Sequence, residues 1–151
     1  MIKRFAGRFG VTFVAAGLSC IASLALACTG ITLTGQDGSV VRARTLEWGS
    51  FDLKASLDII PRNISMQATS MPDGKAGMRW TAKYGFVGTA GHGRPLYADG
   101  INESGLTAGL FYLPGFAEYK VYDPDYADTS LAPTVVVGFL LAKFSTLDEV
   151  R

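Results

Sequence analysis

The sequence predicts an α+β fold in which antiparallel hairpins come first and helices follow. Two patterns predict it. Residues 31–112 hold short runs of alternating or β-rich apolar residues, separated by turns carrying Gly, Asp and Asn, and such runs read as strands. Residues 131–144 are instead almost continuously apolar behind Ser130, and a second helix start follows at residues 145–148; both carry helix N-cap residue types. Strands in one part of a chain and helices in another make an α+β architecture. The composition agrees: 48% hydrophobic and 18% charged residues describe a globular chain.

The chain opens with a segment that reads as a targeting signal. Residues 1–27 have the three parts of a secretory signal peptide: a basic start (MIKRFAGR), an apolar stretch over residues 9–26, and the small-x-small site Ala25-Leu26-Ala27. An uncleaved membrane anchor is the alternative, since the apolar run is nearly long enough to span a bilayer. Gly17, Ser19, Ser23 and the Ala-Leu-Ala end favour cleavage. Lys3, Arg4 and Arg8 leave with the segment, so eleven basic residues face thirteen acidic ones in the rest. No clustered basic face remains, which excludes nucleic acid as an expected partner. Cys20 leaves too, and Cys28 becomes the single cysteine of an exported chain, a thiol with no internal disulfide partner.

From Cys28 onward the elements follow in order. Ile31 and Leu33 alternate with Thr32 and Thr34, and Gln36-Asp37-Gly38 supplies the positive φ of a tight hairpin turn. Val40 and Val41 open a return strand to about Thr45. Antiparallel pairing then brings Cys28, at the free start, near Arg44, at the partner strand's end. Residues 56–60 form a short strand stopped by Pro61, and residues 78–87 (MRWTAKYGFV) form another. GTAGHGRP reads as a flexible loop. Residues 96–99 and 106–112 flank the turn GINESG, and residues 114–130 are irregular. The helix over 131–144, apolar nearly all round, is expected between layers. Ser145-Thr146-Leu147-Asp148 starts a helix that stops within a turn at Arg151. One domain is expected over residues 28–151, as the N-terminal part of something longer.

If cleavage follows Ala27, Cys28 carries both a thiol and a free α-amine. The reference pKa values of these groups, about 8.5 and about 7.7–8.0, let the amine take the thiol proton near neutral pH. A guanidinium nearby stabilises a thiolate, and the hairpin offers Arg44. A carboxylate could orient the amine, and Glu47 is close in sequence. In a straight strand residues 44 and 47 point to opposite faces, so both can face Cys28 only if the strand ends or bulges near residues 45–47.

These residues carry a resemblance. CTGITLTGQDGSVVRARTLEWG, then WTAKYGFVG, DGINESGLTAGLFYLPGFAEY and FSTLDEVR are similar, in order, to the choloylglycine hydrolase and penicillin V acylase family of N-terminal-nucleophile cysteine amide hydrolases. The resemblance implies a four-layer αββα sandwich, incomplete in this chain. It implies that the Cys28 thiol attacks a linear amide and that water hydrolyses the acyl-enzyme. Arg44 matches the arginine beside the nucleophile. Glu47 stands where many members have aspartate, which binds the α-amino group. Phe111 falls at the position whose main-chain N–H serves the oxyanion hole, asparagine or tyrosine in many members. Two further family residues, an oxyanion asparagine and a second arginine, belong downstream of residue 151.

The resemblance implies a small N-acyl amide as substrate: a bile salt conjugate, a phenoxyacetyl penicillin or an N-acyl homoserine lactone. No cofactor and no metal are expected. A periplasmic or secreted location follows from the signal peptide, without stable membrane association after cleavage, and a homo-oligomer of the full-length protein stays open. Two alternatives also stand. Cys28 could be a lipidation site of an envelope protein, although Ala25 occupies the position where lipidation prefers Leu, or the chain could be an inactive fragment. Elsewhere the plain readings hold: His92 is a loop residue, Asn102 and Glu103 serve a turn, and Trp80 and Tyr84 belong to a core. Trp48 and Phe51 also read first as core, though after the catalytic strand they could line an apolar acyl site. Asn63-Ile64-Ser65 and Asn102-Glu103-Ser104 match the glycosylation pattern.

Overall fold

The computed structural model describes residues 28–46, 52–92, 96–112 and 115–151. Among them, Cys28 leads directly into the expected hairpin. Strand β1 (Gly30–Thr34) pairs antiparallel with β2 (Val40–Arg44), with Gly30 opposite Arg44 and Thr34 opposite Val40. The turn closes because Gly38 adopts a φ of 82° and Asp37 accepts from the Ser39 N–H and hydroxyl. These are the roles that favour Gly and Asp in turns.

A four-stranded antiparallel sheet in the order β3-β6-β7-β8 forms the centre, from β3 (Ser56–Ile60), β6 (Phe86–Gly91), β7 (Leu96–Asn102) and β8 (Thr107–Gly109). Between β3 and β6, β4 (Ser65–Gln67) and β5 (Arg79–Thr81) make a separate two-stranded ribbon. The expected single strand over 78–87 is therefore two strands. The chain corners between them, where the Lys83 and Tyr84 N–H groups both donate to the Ala142 carbonyl and the Gly85 N–H donates to the Glu103 carboxylate.

The glycines at 88 and 91 are strand residues, which corrects the loop reading of GTAGHGRP as far as Gly91; residues 93–95 lie outside the described set. Gly88 serves packing: a Cβ there would stand 2.6 Å from the Tyr97 ring. A Cβ on Gly138 would stand 2.9 Å from the same ring. Tyr97, 2% exposed, lies between these two glycines and meets Phe86 edge-on at 5.2 Å.

The helix is shorter than expected. Pro133 opens a 3-10 turn (Pro133–Val135), and α1 spans Val136–Lys143. Ala132, just before the proline, is extended (φ −69°, ψ 145°), because a residue preceding proline resists the α region. Ser130 is consequently not the cap of α1. It closes an earlier 3-10 segment, Pro124–Thr129, with its hydroxyl and N–H donating to the Tyr126 and Ala127 carbonyls. α1 buries Val137, Gly138, Leu141 and Ala142, and packs on β7 and β8. Fully burying a side chain such as Leu141 contributes about 1.5–3 kcal/mol. α2 (Leu147–Val150) has the expected capped start, with a capping box between Thr146 and Glu149.

The two faces of the central sheet differ. Phe86, Ala90 and Tyr97 belong to the core cluster with Val137 and Leu141. The alternate residues Leu57, Ile59 and Ile101 are 71%, 77% and 49% exposed. The β1–β2 hairpin reaches the side of Asp99 and Gly109. A Cβ on Gly109 would lie 3.3 Å from Arg42 Nη2 and 3.5 Å from the Asp99 Cβ.

Candidate active site

The register decides which hairpin residues share a face. Gly30 stands opposite Arg44, and pairing continues one residue further: the Thr45 N–H donates to the Thr29 carbonyl at 2.9 Å, and the Thr29 N–H to the Thr45 hydroxyl at 3.0 Å. Cys28 lies two residues before Gly30, so the period of two puts it on the face of Gly30 and Arg44. Its thiol is free and half-buried.

Arg44 is anchored at several points. Its Nη1 donates to the main-chain carbonyls of Ala98 (2.9 Å) and Leu110 (2.7 Å), and its Nε to the Thr45 carbonyl (3.1 Å). The guanidinium therefore clamps the hairpin to β7 and to the chain leaving β8. Nη2 is buried without a hydrogen-bond partner. The Phe111 ring faces the group, with Cζ 4.6 Å from the ring centroid, the arrangement of a cation–π contact. Phe111 follows Leu110, whose N–H donates to Ala98 O at 2.8 Å, so its main chain is tethered to β7. Its ring also abuts Gly30.

The structure thus brings Cys28, Arg44 and Phe111 to one face of the hairpin mouth. β2 ends at Arg44, with the Thr45–Thr29 pairing just beyond it. Glu47 itself, like Trp48 and Phe51, lies outside the described residues. His92 has a φ of 60° and its N–H donates to the Leu53 carbonyl. Asn102 is more than a turn residue: its Oδ1 accepts from the Ser104 and Leu106 N–H groups, and its Nδ2 donates to the Leu141 and Phe144 carbonyls. Glu103 is exposed but not simply solvated. It forms a two-point pair with Arg62 at 2.5 Å, and Arg62 together with the Gly85 N–H holds its carboxyl below the usual range.

What the sequence reading missed are the partners that supply no functional side chain: the Ala98 and Leu110 carbonyls, Gly30 and Gly109. Among the described residues, no group of three His, Cys, Asp or Glu could hold a metal ion, and no helix is long and apolar enough to cross a membrane. Two cavities, about 270 Å³ beside Trp80 and Tyr97 and about 840 Å³ along Tyr119, Tyr122 and Tyr126, are not lined by Cys28, Arg44 or Phe111.

Residues 28–151 match the family described as linear amide C–N hydrolases, choloylglycine hydrolase family, and the chain belongs to that family. It is 31% identical over 113 residues to a penicillin V acylase of Pectobacterium atrosepticum, covering 72% of this chain and 29% of the relative. It is 29% identical over 124 residues to a bile salt hydrolase/transferase of Bifidobacterium longum, covering 82% and 38%. An uncharacterized protein, A284L, of Paramecium bursaria Chlorella virus 1 is 31% identical over 124 residues, covering 82% and 35%. The chain spans about a third of the length of these relatives. No solved structure gives a significant match.

Proposed function

We propose that the full-length protein hydrolyses the linear amide bond of N-acyl substrates with a bulky apolar acyl group, using Cys28 as an N-terminal nucleophile. The observation that carries this reading is the shared face of Cys28, Arg44 and Phe111 at the hairpin mouth. The family match that begins at residue 28 supports it. Signal cleavage after Ala27 frees the α-amine of Cys28. That amine takes the thiol proton, and the thiolate sulfur attacks the amide carbon. The carbonyl oxygen becomes an oxyanion, and the Phe111 main-chain N–H donates to it. The tetrahedral adduct collapses with cleavage of the C–N bond, and the α-ammonium returns its proton to the departing amine. Water, deprotonated by the same α-amine, then attacks the thioester and releases the acid and the thiol. Arg44 holds positive charge beside the sulfur, and Glu47 orients the α-ammonium.

Bile salt conjugates, phenoxyacetyl penicillins and N-acyl homoserine lactones are the substrate classes of this reading, and two of the relatives are named for the first two kinds. The mature protein works in the bacterial envelope or outside the cell. The fold is the four-layer αββα sandwich: α1 covers one face of the central sheet, the β1–β2 hairpin starts a second sheet over the other, and exposed Leu57, Ile59 and Ile101 are apolar surface for that layer. The test is amine release from glycine-conjugated bile salt and from penicillin V by the full-length protein and its Cys28→Ser variant. Turnover of either substrate, lost in Cys28→Ser, is expected. Wild-type activity in a Cys28→Ala variant, or a diacylglyceryl mass on Cys28, would overturn the reading.

A further inference from the structure

We infer that Gly30 is a positioning residue of this site: its missing side chain makes the slot that fixes the Phe111 ring against Arg44, and so fixes the Phe111 main-chain N–H beside Cys28. The inference rests on the amidase reading above and adds to it a residue that touches neither substrate nor sulfur. A Cβ on Gly30 would stand 2.8 Å from Phe111 Cζ and 3.2 Å from Cε1, too close to be absorbed without movement. Gly109 approaches another edge of the ring, its Cβ position 3.4 Å from Cε2. The guanidinium of Arg44 lies over the ring face.

The backbone does not ask for glycine at this position. Gly30 is a strand residue paired with Arg44, and it is not among the positive-φ glycines, Gly38, Gly74, Gly105 and Gly115. On conformational grounds alone, alanine would suit a strand better. The requirement comes from the ring. The ring also has little freedom toward Arg44, because two carbonyls hold the guanidinium, and one of them belongs to Leu110, the residue before Phe111. A methyl group on Gly30 must therefore push the ring outward, where it is already 39% exposed. That movement lifts the ring from the guanidinium, whose Nη1 is bonded to the carbonyl of Leu110, the residue before Phe111. In the amidase reading the guanidinium and the Phe111 main chain both serve the Cys28 thiol, and displacements of about 1 Å in such a constellation lower rates by up to roughly 100-fold.

The experiment is a double-mutant cycle in the full-length protein, read as kcat and KM on whichever of penicillin V, glycine-conjugated bile salt and an N-acyl homoserine lactone the wild type turns over. Gly30→Ala is expected to lower kcat by about 10- to 100-fold with a smaller change in KM. Adding Phe111→Leu, which clears the methyl and keeps the main-chain N–H, is expected to bring the double variant within about twofold of Phe111→Leu alone, a coupling that independent sites do not show. Equal kcat in Gly30→Ala and wild type would overturn the inference. So would a double variant in which the two losses multiply. If Gly30→Ala does not fold, the double variant against Phe111→Leu alone carries the same decision. A wild-type protein that turns over none of penicillin V, glycine-conjugated bile salt and an N-acyl homoserine lactone sinks the amidase reading instead, which keeps the two failures apart.

Discussion

Replacing Asn102 by leucine tests how the turn of the central sheet is tied to the helix that covers it. The side chain is 4% exposed and makes four hydrogen bonds. Leucine keeps the approximate size and strips all four. The bonds to the Leu106 N–H and the Leu141 carbonyl are buried, and leaving such groups unpaired costs about 1–3 kcal/mol each. Those to Ser104 N–H and Phe144 O are part-buried; water can partly replace them, so about 0.5–1 kcal/mol each is reasonable. The sum is about 3–8 kcal/mol, a large share of the roughly 5–15 kcal/mol that holds a domain folded. At about 2–4 °C per kcal/mol for a chain of this length, Tm should fall by at least about 6 °C. Urea unfolding followed by tryptophan fluorescence measures it. Asn102→Asp keeps the acceptor and aims a second carboxylate oxygen at the two helix carbonyls. It should lose as much stability at neutral pH and regain part as pH falls toward the ordinary carboxylate value, because burial against two carbonyl oxygens raises the folded-state pKa and the protonated group donates again. A loss below about 1 kcal/mol for Asn102→Leu would refute the idea that this residue ties β7 to α1.

Two further predictions concern protonation. Glu103 is held below the ordinary carboxylate range by Arg62 first and by the Gly85 N–H, so its contribution is present above that range and lost as pH falls through the folded-state value. The Tm difference between wild type and Glu103→Gln should be largest near neutral pH and shrink below about pH 4, whereas a constant difference would contradict the pairing. Tyr122 is pushed up to about 12 by burial and by the bond it donates to Asp73 at 2.9 Å. Its stabilising effect is therefore full below the ordinary tyrosine value and fades as pH rises toward 12; the wild-type minus Tyr122→Phe difference in tyrosinate absorbance should rise late, and a difference step at the ordinary tyrosine value would refute it.

The hairpin was readable because its signals are local. Thr and Ile alternation, an Asp-Gly turn and chain direction are enough to set Cys28 on the side of Arg44, and the observed pairing of Gly30 with Arg44 follows that logic. The capped start of α2 was readable for the same reason. The glycines of β6 were misread because a glycine that admits a distant ring has the same local signature as one that loosens a loop; Gly88 serves Tyr97, nine residues on. The helix start moved from Ser130 to Val136 because Pro133 overrides a good capping residue. The β4–β5 ribbon and the Asn102 ties depend on pairings that period and composition do not encode. The anchors of Arg44 were invisible for a further reason: they are main-chain carbonyls of residues 54 and 66 positions away.

The central claim is that cleavage makes the base: the α-amine of Cys28 takes the proton of its own thiol. Turnover by the mature full-length protein beginning at Cys28, compared with the same protein carrying one added alanine ahead of it, tests this most directly. The extra residue leaves the thiol in the chain and turns the amine into an amide. Amide hydrolysis should fall by about 10²–10⁴-fold, the usual contribution of a positioned base. Equal turnover by the two proteins would contradict the claim.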